Sequence, residues 1–256
     1  MLTRLNMKIT AIPRKIKKIL LNQNKQLEKI FKNEKWFQIL LECQNEITAN
    51  NPSQYYIKHY KDSEKCYWSN IPLWLFKDQT CSQKKILDIG CGYGTLSFFC
   101  QKIFESDIYC IDSNASNLNK ALIKEKKIHF KINNIETDDF PWGEKFDIII
   151  FTEVLEHFNF HPVITLKKIH SLLKPTGKLY LSTPDSHEWG RITKYYKKFE
   201  DMPNPKKNVE IIDDHIFQFS KEELLKILEN AGFNILEFAY SSGVMNRHFN
   251  LMLNKK

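Results

Sequence analysis

Beyond residue 84 the apolar positions fall into short runs of strand length: KILDI at 85–89, DIYCI at 107–111, IHFKI at 128–132, FDIIIF at 146–151 and KLYLST at 178–183. Runs that are apolar on both alternating positions suit strands buried on both faces. Most are separated by segments able to form helices, and this βαβα order predicts an α/β fold with a doubly wound, mostly parallel sheet. Further on, SKEELLKILENAGF (220–233) opens with a capping box, Ser220 with Glu223, and stops at Gly232, the marks of a well-delimited helix. NILEFAY at 234–240 and FNLML at 249–253 then supply two closing strands, making a seven-stranded sheet.

Ahead of the first strand the period changes. From Gln26 to about Leu75 the pattern is helical and rich in aromatics, with Trp36, Phe37, Leu40 and Leu41 as one apolar stripe and NPSQYY as a break. Residues 1–75 therefore read as a basic leg and helical cap, and 76–256 as the main domain. One long segment, 185–214, fits no regular element. It leaves the carboxyl edge of the sheet, where doubly wound folds bind ligands, and so reads as a substrate-facing lid.

Charge sharpens this division. The chain of 256 residues carries a formal +8, but residues 1–60 hold eleven Lys and Arg against four acids, so the rest is nearly neutral. Without a global positive field, a nucleic-acid partner is not expected. The acid-free stretch 1–27 reads as a solvated basic helix, with peripheral contact to an anionic membrane as the alternative. Six cysteines without a C-x-x-C pair point to reduced, packed thiols and a cytoplasmic setting. No apolar run is long enough to span a bilayer, and no secretory h-region is expected.

Three of the chain's eight glycines lie within five residues, Gly90, Gly92 and Gly94, directly after a strand that carries Asp88. Such a strand–turn–helix corner brings backbone against a ligand where side chains would intrude. A dinucleotide fingerprint starting at Gly90 requires glycine at 95, where the chain has Thr95, so that reading fails.

The run from Asp88 to Gly94 instead resembles motif I, E/D-x-G-x-G-x-G, of the class I S-adenosylmethionine-dependent methyltransferases. FDIIIFTEVLEHF resembles the corresponding segment of the branch holding the ubiquinone-pathway O-methyltransferases. LLKPTGKLYLSTPD and HIFQFSKEELLKILENAGF resemble the segments that follow it, so the likeness runs from about Lys84 to Tyr240. It implies a Rossmann-like methyltransferase fold and S-adenosylmethionine as cofactor. Asp88, Gly90, Cys91, Gly92 and Gly94 would form the cofactor turn, with Ser113 and Thr152 beside it. Asp112 would accept both ribose hydroxyls. Asn134 stands where the family usually has an acid facing the adenine amino group, and Ile135 would lend its N–H and side chain to the purine.

Glu153, Glu156 and His157 are spaced i, i+3, i+4, which on a helical turn would place all three on one side at the sheet's carboxyl edge. Two readings stay open. His157 with Glu153 can act as general base, or orienting group, for an acceptor hydroxyl. Alternatively Glu153, Glu156, His157 and His215 can hold a divalent ion, Mg²⁺ or Mn²⁺, as in the site that this pattern resembles in small-RNA 3′-end methyltransferases. The other histidines, His248 among them, lack such company and read as surface or packing residues. Tyr55, Tyr56, Tyr60, Trp189 and Tyr195 are candidates for the walls of the site.

The leading expectation is thus O-methylation of a small-molecule hydroxyl on a quinone precursor, sugar or glycolipid. An RNA 3′-end 2′-O-methyltransferase and a non-catalytic cofactor-binding assembly protein are the alternatives.

Overall fold

A computed structural model describes residues 25–50, 54–79, 83–241 and 247–256. The basic stretch 1–24 and Cys81 lie outside the described residues.

The expected sheet is present. Its strands are β1 (Lys85–Ile89), β2 (Asp107–Asp112), β3 (His129–Ile132), β4 (Phe146–Thr152), β5 (Leu173–Pro184), β6 (Phe233–Tyr240) and β7 (His248–Lys255). They lie in the order β3-β2-β1-β4-β5-β7-β6. β1 to β5 pair in parallel, whereas β7 runs antiparallel between β5 and β6 and starts opposite Pro184. β5 begins five residues earlier than its apolar run, because Leu173 is buried in the core and pairs with Phe146 ahead of the polar stretch 174–178.

Four helices precede the sheet: α1 (Lys35–Asn50), α2 (Tyr55–His59), α3 (Lys61–Tyr67) and α4 (Ile71–Lys77). The buried face of α1 is Trp36, Phe37, Leu40, Cys43, Gln44 and Ile47, a spacing of three and four residues; Leu41 is only half-buried. That face packs on Phe98 and Phe99 of α5 (Thr95–Phe104), which covers one side of the sheet with α6 (Lys120–Glu125). The opposite side is covered by α7 (Pro162–Leu172) and α9 (Lys221–Asn230), with α8 (Ser186–Trp189) just after β5. α9 carries the expected capping box, and Gly232 follows it at φ +91°. Of segment 185–214, Phe199 and Met202 are buried in the core, while Trp189 and residues between Asn208 and Asp213 reach the central cavity. Among the described residues no helix is long and apolar enough to cross a membrane.

Candidate active site

A cavity of about 1080 Å³ opens at the carboxyl ends of β1, β2 and β4. Chain direction across the sheet reverses between β1 and β4, which is where an open α/β sheet leaves a crevice. Eight acidic side chains and four imidazoles line it, with no Lys or Arg among the described residues.

The glycine turn forms its floor. Gly90 has φ +70° and donates its N–H to the Ile111 carbonyl, so a tight left-handed step links β1 to β2. A Cβ at Gly90 would stand 2.3 Å from Val154 Cγ2, so the crowding there comes from the protein itself. Gly92, at φ +51°, has nothing within 4 Å of where its Cβ would be, and this is the open space a ligand needs. Its N–H donates to Asp112 Oδ2 at 2.9 Å, while Asn114 N–H donates to Oδ1 at 3.1 Å. Asp112 is thereby aimed by two amides, each oxygen keeping acceptor capacity. Burial raises its pKa against those N–H donors.

Asp88 lies deeper, accepting from the Ser97 hydroxyl, and burial pushes its carboxyl up to about 7. Cys91, Ser113 and Thr152 line the cavity as expected. Asn134 does too, but its side-chain oxygen already accepts the Glu136 N–H at 2.9 Å, and its own N–H donates to Asp138 at 2.8 Å. Asp138 thus restores a carboxylate to the wall where the family's acid is missing. Ile135 is buried at that wall.

The acid and histidine cluster departs from expectation. Glu153 adopts φ +55° and only a short 3₁₀ turn, Leu155–His157, follows, so no α-helical face forms. The left-handed step turns Glu153 toward the sheet, where it accepts from Ser182 Oγ at 2.6 Å and faces His248 Nδ1 at 2.8 Å. Glu156, 1% exposed, accepts from Thr183 Oγ1 at 3.0 Å. His157 Nδ1–H donates to the Asp214 carbonyl at 2.9 Å, which leaves Nε2 as its acceptor in the neutral form. Its ring meets His215 edge-on at 4.6 Å between centroids. Ligating atoms of Glu156, His157 and His215 lie within 4.8 Å of one another, and Glu153 is not part of that set. The four residues expected to share one ion are therefore not all brought together: Glu156, His157 and His215 group, while His248 and Ser182 occupy the Glu153 carboxylate.

Electrostatics separate these groups. Burial pushes the Glu153 carboxyl up, but neighbouring His248 and the Ser182 hydroxyl pull harder and hold it below the usual carboxylate range. Burial and the negative Glu153 raise Glu156 well above its ordinary value. Burial and neighbouring His157 lower His215 to about 4, so its imidazole is neutral at pH 7.

Besides Asp138, sequence reasoning missed other residues on the cavity wall, His248, Glu136 and Glu64 among them. His248 is 1% exposed, stacks on Tyr67 at 4.2 Å and meets the edge of Trp189; it packs as expected, but it does not lack company, since it faces Glu153. Glu136 accepts the N–H groups of Asn159 at 2.9 Å and Phe160 at 3.0 Å, bracing the chain just after His157. Glu64 comes from α3 in the cap. Of the expected wall aromatics, Tyr55, Tyr60 and Trp189 line the cavity, Tyr56 is buried behind it, and Tyr195 instead hydrogen-bonds Asp214 at 2.7 Å.

Comparison with known proteins agrees with this geometry. Over 110 residues the chain is 37% identical to the mitochondrial ubiquinone biosynthesis O-methyltransferase of Candida albicans, covering 40% of this chain and 33% of that one. Over 112 residues it is 34% identical to a ubiquinone biosynthesis O-methyltransferase of Rhodopseudomonas palustris, covering 42% and 43%. The chain thus spans less than half the length of these relatives. In fold it is similar to the magnesium protoporphyrin IX methyltransferase of Synechocystis solved with bound SAH, with TM-score 0.58, 17% identity and coverage of 91% and 100%. It is likewise similar to an S-adenosylmethionine-dependent methyltransferase from Clostridium acetobutylicum, with TM-score 0.56, 14% identity and coverage of 83% and 99%. The methyltransferase domain family matches residues 59–237, well over half the chain, and with the sheet order and glycine turn described above the protein belongs to that family.

Proposed function

We propose that the protein is an S-adenosylmethionine-dependent O-methyltransferase acting on a small-molecule hydroxyl. The observation that carries this reading is that one cavity joins the Gly92–Asp112 seat to the Glu156, His157 and His215 cluster. Open space beside Gly92 and the amide-aimed Asp112 carboxylate fit a nucleoside, with Asn134, Ile135 and Asp138 at the purine end. An acid-rich wall without Lys or Arg among the described residues fits a cationic sulfonium and disfavours a polyanionic acceptor such as RNA. The names of the relatives favour a quinone precursor over a sugar or glycolipid.

When bound, the cofactor supplies an activated methyl group, and the chain's own residues align and deprotonate the acceptor. His157, fixed through Nδ1 by the Asp214 carbonyl, offers Nε2 to take the hydroxyl proton. Glu136 keeps the loop after His157 in place through two amides.

A second reading rests on the 4.8 Å grouping of Glu156, His157 and His215. One carboxylate with two imidazoles fits Mn²⁺ better than Mg²⁺, and a cation there would lower the pKa of a bound hydroxyl. Thermal stability of the protein with S-adenosylmethionine, S-adenosylhomocysteine or NAD, with and without EDTA and Mn²⁺, tests both readings, followed by labelled methyl transfer to catechol. Stabilisation by the first two ligands and transfer are expected. Stabilisation by NAD alone would refute the reading.

A further inference from the structure

Among the described residues the cap contributes one acid to the cavity wall, Glu64 on α3. Its Oε2 accepts from Tyr56 OH at 2.9 Å, Gln44 Nε2 at 3.1 Å and Thr95 Oγ1 at 3.0 Å, and Oε1 lies 3.0 Å from the same hydroxyl. Thr95 is the first residue of α5, directly after the glycine turn, so Glu64 flanks that turn on the side away from Asn134 and Ile135. Every donor on the carboxyl is neutral. The neighbouring Lys65 turns its ammonium to Glu28 and Asp62 instead, at 3.3 and 3.8 Å. A half-buried carboxyl that touches the cavity thus has no cation on it.

Such an arrangement is costly for a structural tether, because a carboxylate taken out of water is retained at lowest cost beside a positive charge. Burial pushes Glu64 up to about 7, with Gln44, Tyr56, Thr95 and Lys65 pulling the other way. The remaining acceptor capacity is on Oε1, which has Thr95 alone. A nucleoside seated on Asp112 with its purine toward Ile135 directs its other end across β1, toward Thr95 and the cap.

We infer that Glu64 is a cofactor-binding residue that receives the α-ammonium of the cofactor's methionyl tail. The inference rests on the proposed use of S-adenosylmethionine. It makes the N-terminal cap part of the cofactor site as well as the wall of the acceptor space.

The test is calorimetric binding to the full chain of S-adenosylhomocysteine and of methylthioadenosine, which keeps the nucleoside and thioether but lacks the amino-acid tail. Glu64→Gln is expected to weaken S-adenosylhomocysteine by about tenfold or more, the scale of a hydrogen bond to a charged group, and to leave methylthioadenosine unchanged. Equal weakening of both ligands would make Glu64 only a prop for the glycine turn, and no weakening would remove it from the site; either result overturns the inference. A substitution-free comparison guards against a variant that fails to fold. Wild-type protein should bind the deaminated analogue of S-adenosylhomocysteine about tenfold more weakly than the parent compound, and equal affinity overturns the inference. Should the wild type bind neither nucleoside, the cofactor reading itself has failed, and this assignment falls with it.

Discussion

His248 and Glu153 meet at 2.8 Å although 95 positions separate them in the chain, one opening β7 and the other following β4. The contact is close but off the line of a well-formed hydrogen bond, and the second ring nitrogen of His248 has no partner among the described residues. Tyr67 from the cap stacks on the imidazole and fixes its plane.

His248→Phe would keep the stacking and remove the ring nitrogen that faces Glu153. In the wild type, Glu153 has a depressed pKa, so the pair stabilises the fold above the ordinary carboxylate range and loses that effect as pH falls. In the variant, burial acts on Glu153 with the His248 contribution gone and the Ser182 hydroxyl still opposing it. The loss is expected to be on the order of 1–3 kcal/mol at pH 7 and smaller at pH 5, read from denaturant unfolding at the two pH values.

The two cavity-facing glycines should respond differently. Gly90→Ala places a methyl group 2.3 Å from Val154 Cγ2 at φ +70° and should cost about 2 kcal/mol or more in stability, of which Val154→Ala in the same chain restores part. Gly92→Ala meets open space, so it should lower stability by only about 1 kcal/mol while greatly weakening S-adenosylhomocysteine. Melting curves with and without the nucleoside separate the two effects.

Much of this was legible beforehand. Strand-length apolar runs announced the sheet, and Asp88 to Gly94 with Asp112 announced the turn that lines the cavity, because those residues are adjacent in the chain or lie at the ends of recognisable elements. Glu153, Glu156 and His157 were found, but their shared helical face was not real, since i, i+3, i+4 spacing gives convergence only if every residue is helical and Glu153 is left-handed. His248, Glu136 and Glu64 escaped because each acts through a partner far away in sequence, and a single acid or imidazole within an ordinary stretch carries no spacing signal.

Glu136 gives a second pH signature. Burial raises its carboxyl to about 7 against the amides of Asn159 and Phe160. The folded state therefore holds a proton that the unfolded chain releases, and stability falls as pH rises from about 4.5 to 7. Glu136→Gln should flatten the plot of melting temperature against pH, removing on the order of 2–3 kcal/mol of change across that window. A slope unaltered by the substitution would assign the effect to Asp88 or Glu64, which share its direction.

If the cluster holds a metal, EDTA should reduce methyl transfer at least about tenfold with Mn²⁺ restoring it, the scale expected when hydroxyl activation is lost. Glu156→Ala should show low transfer that neither treatment changes. Ser182→Ala, which removes a hydroxyl bonded to Glu153 and none of the three grouped ligands, should keep the wild-type metal response.

The eight acids of the cavity wall, with no Lys or Arg beside them among the described residues, also bear on turnover. On the proposed reading, a sulfonium enters and a thioether leaves, so the ligand loses one positive charge; although burial holds Asp88, Glu64, Glu136 and Glu156 toward their neutral forms, Glu153 and the other wall carboxylates keep the enclosure negative. Such an enclosure holds the spent nucleoside less firmly than the fresh one. Its charge thus opposes product inhibition, and added salt should narrow the gap between the two affinities.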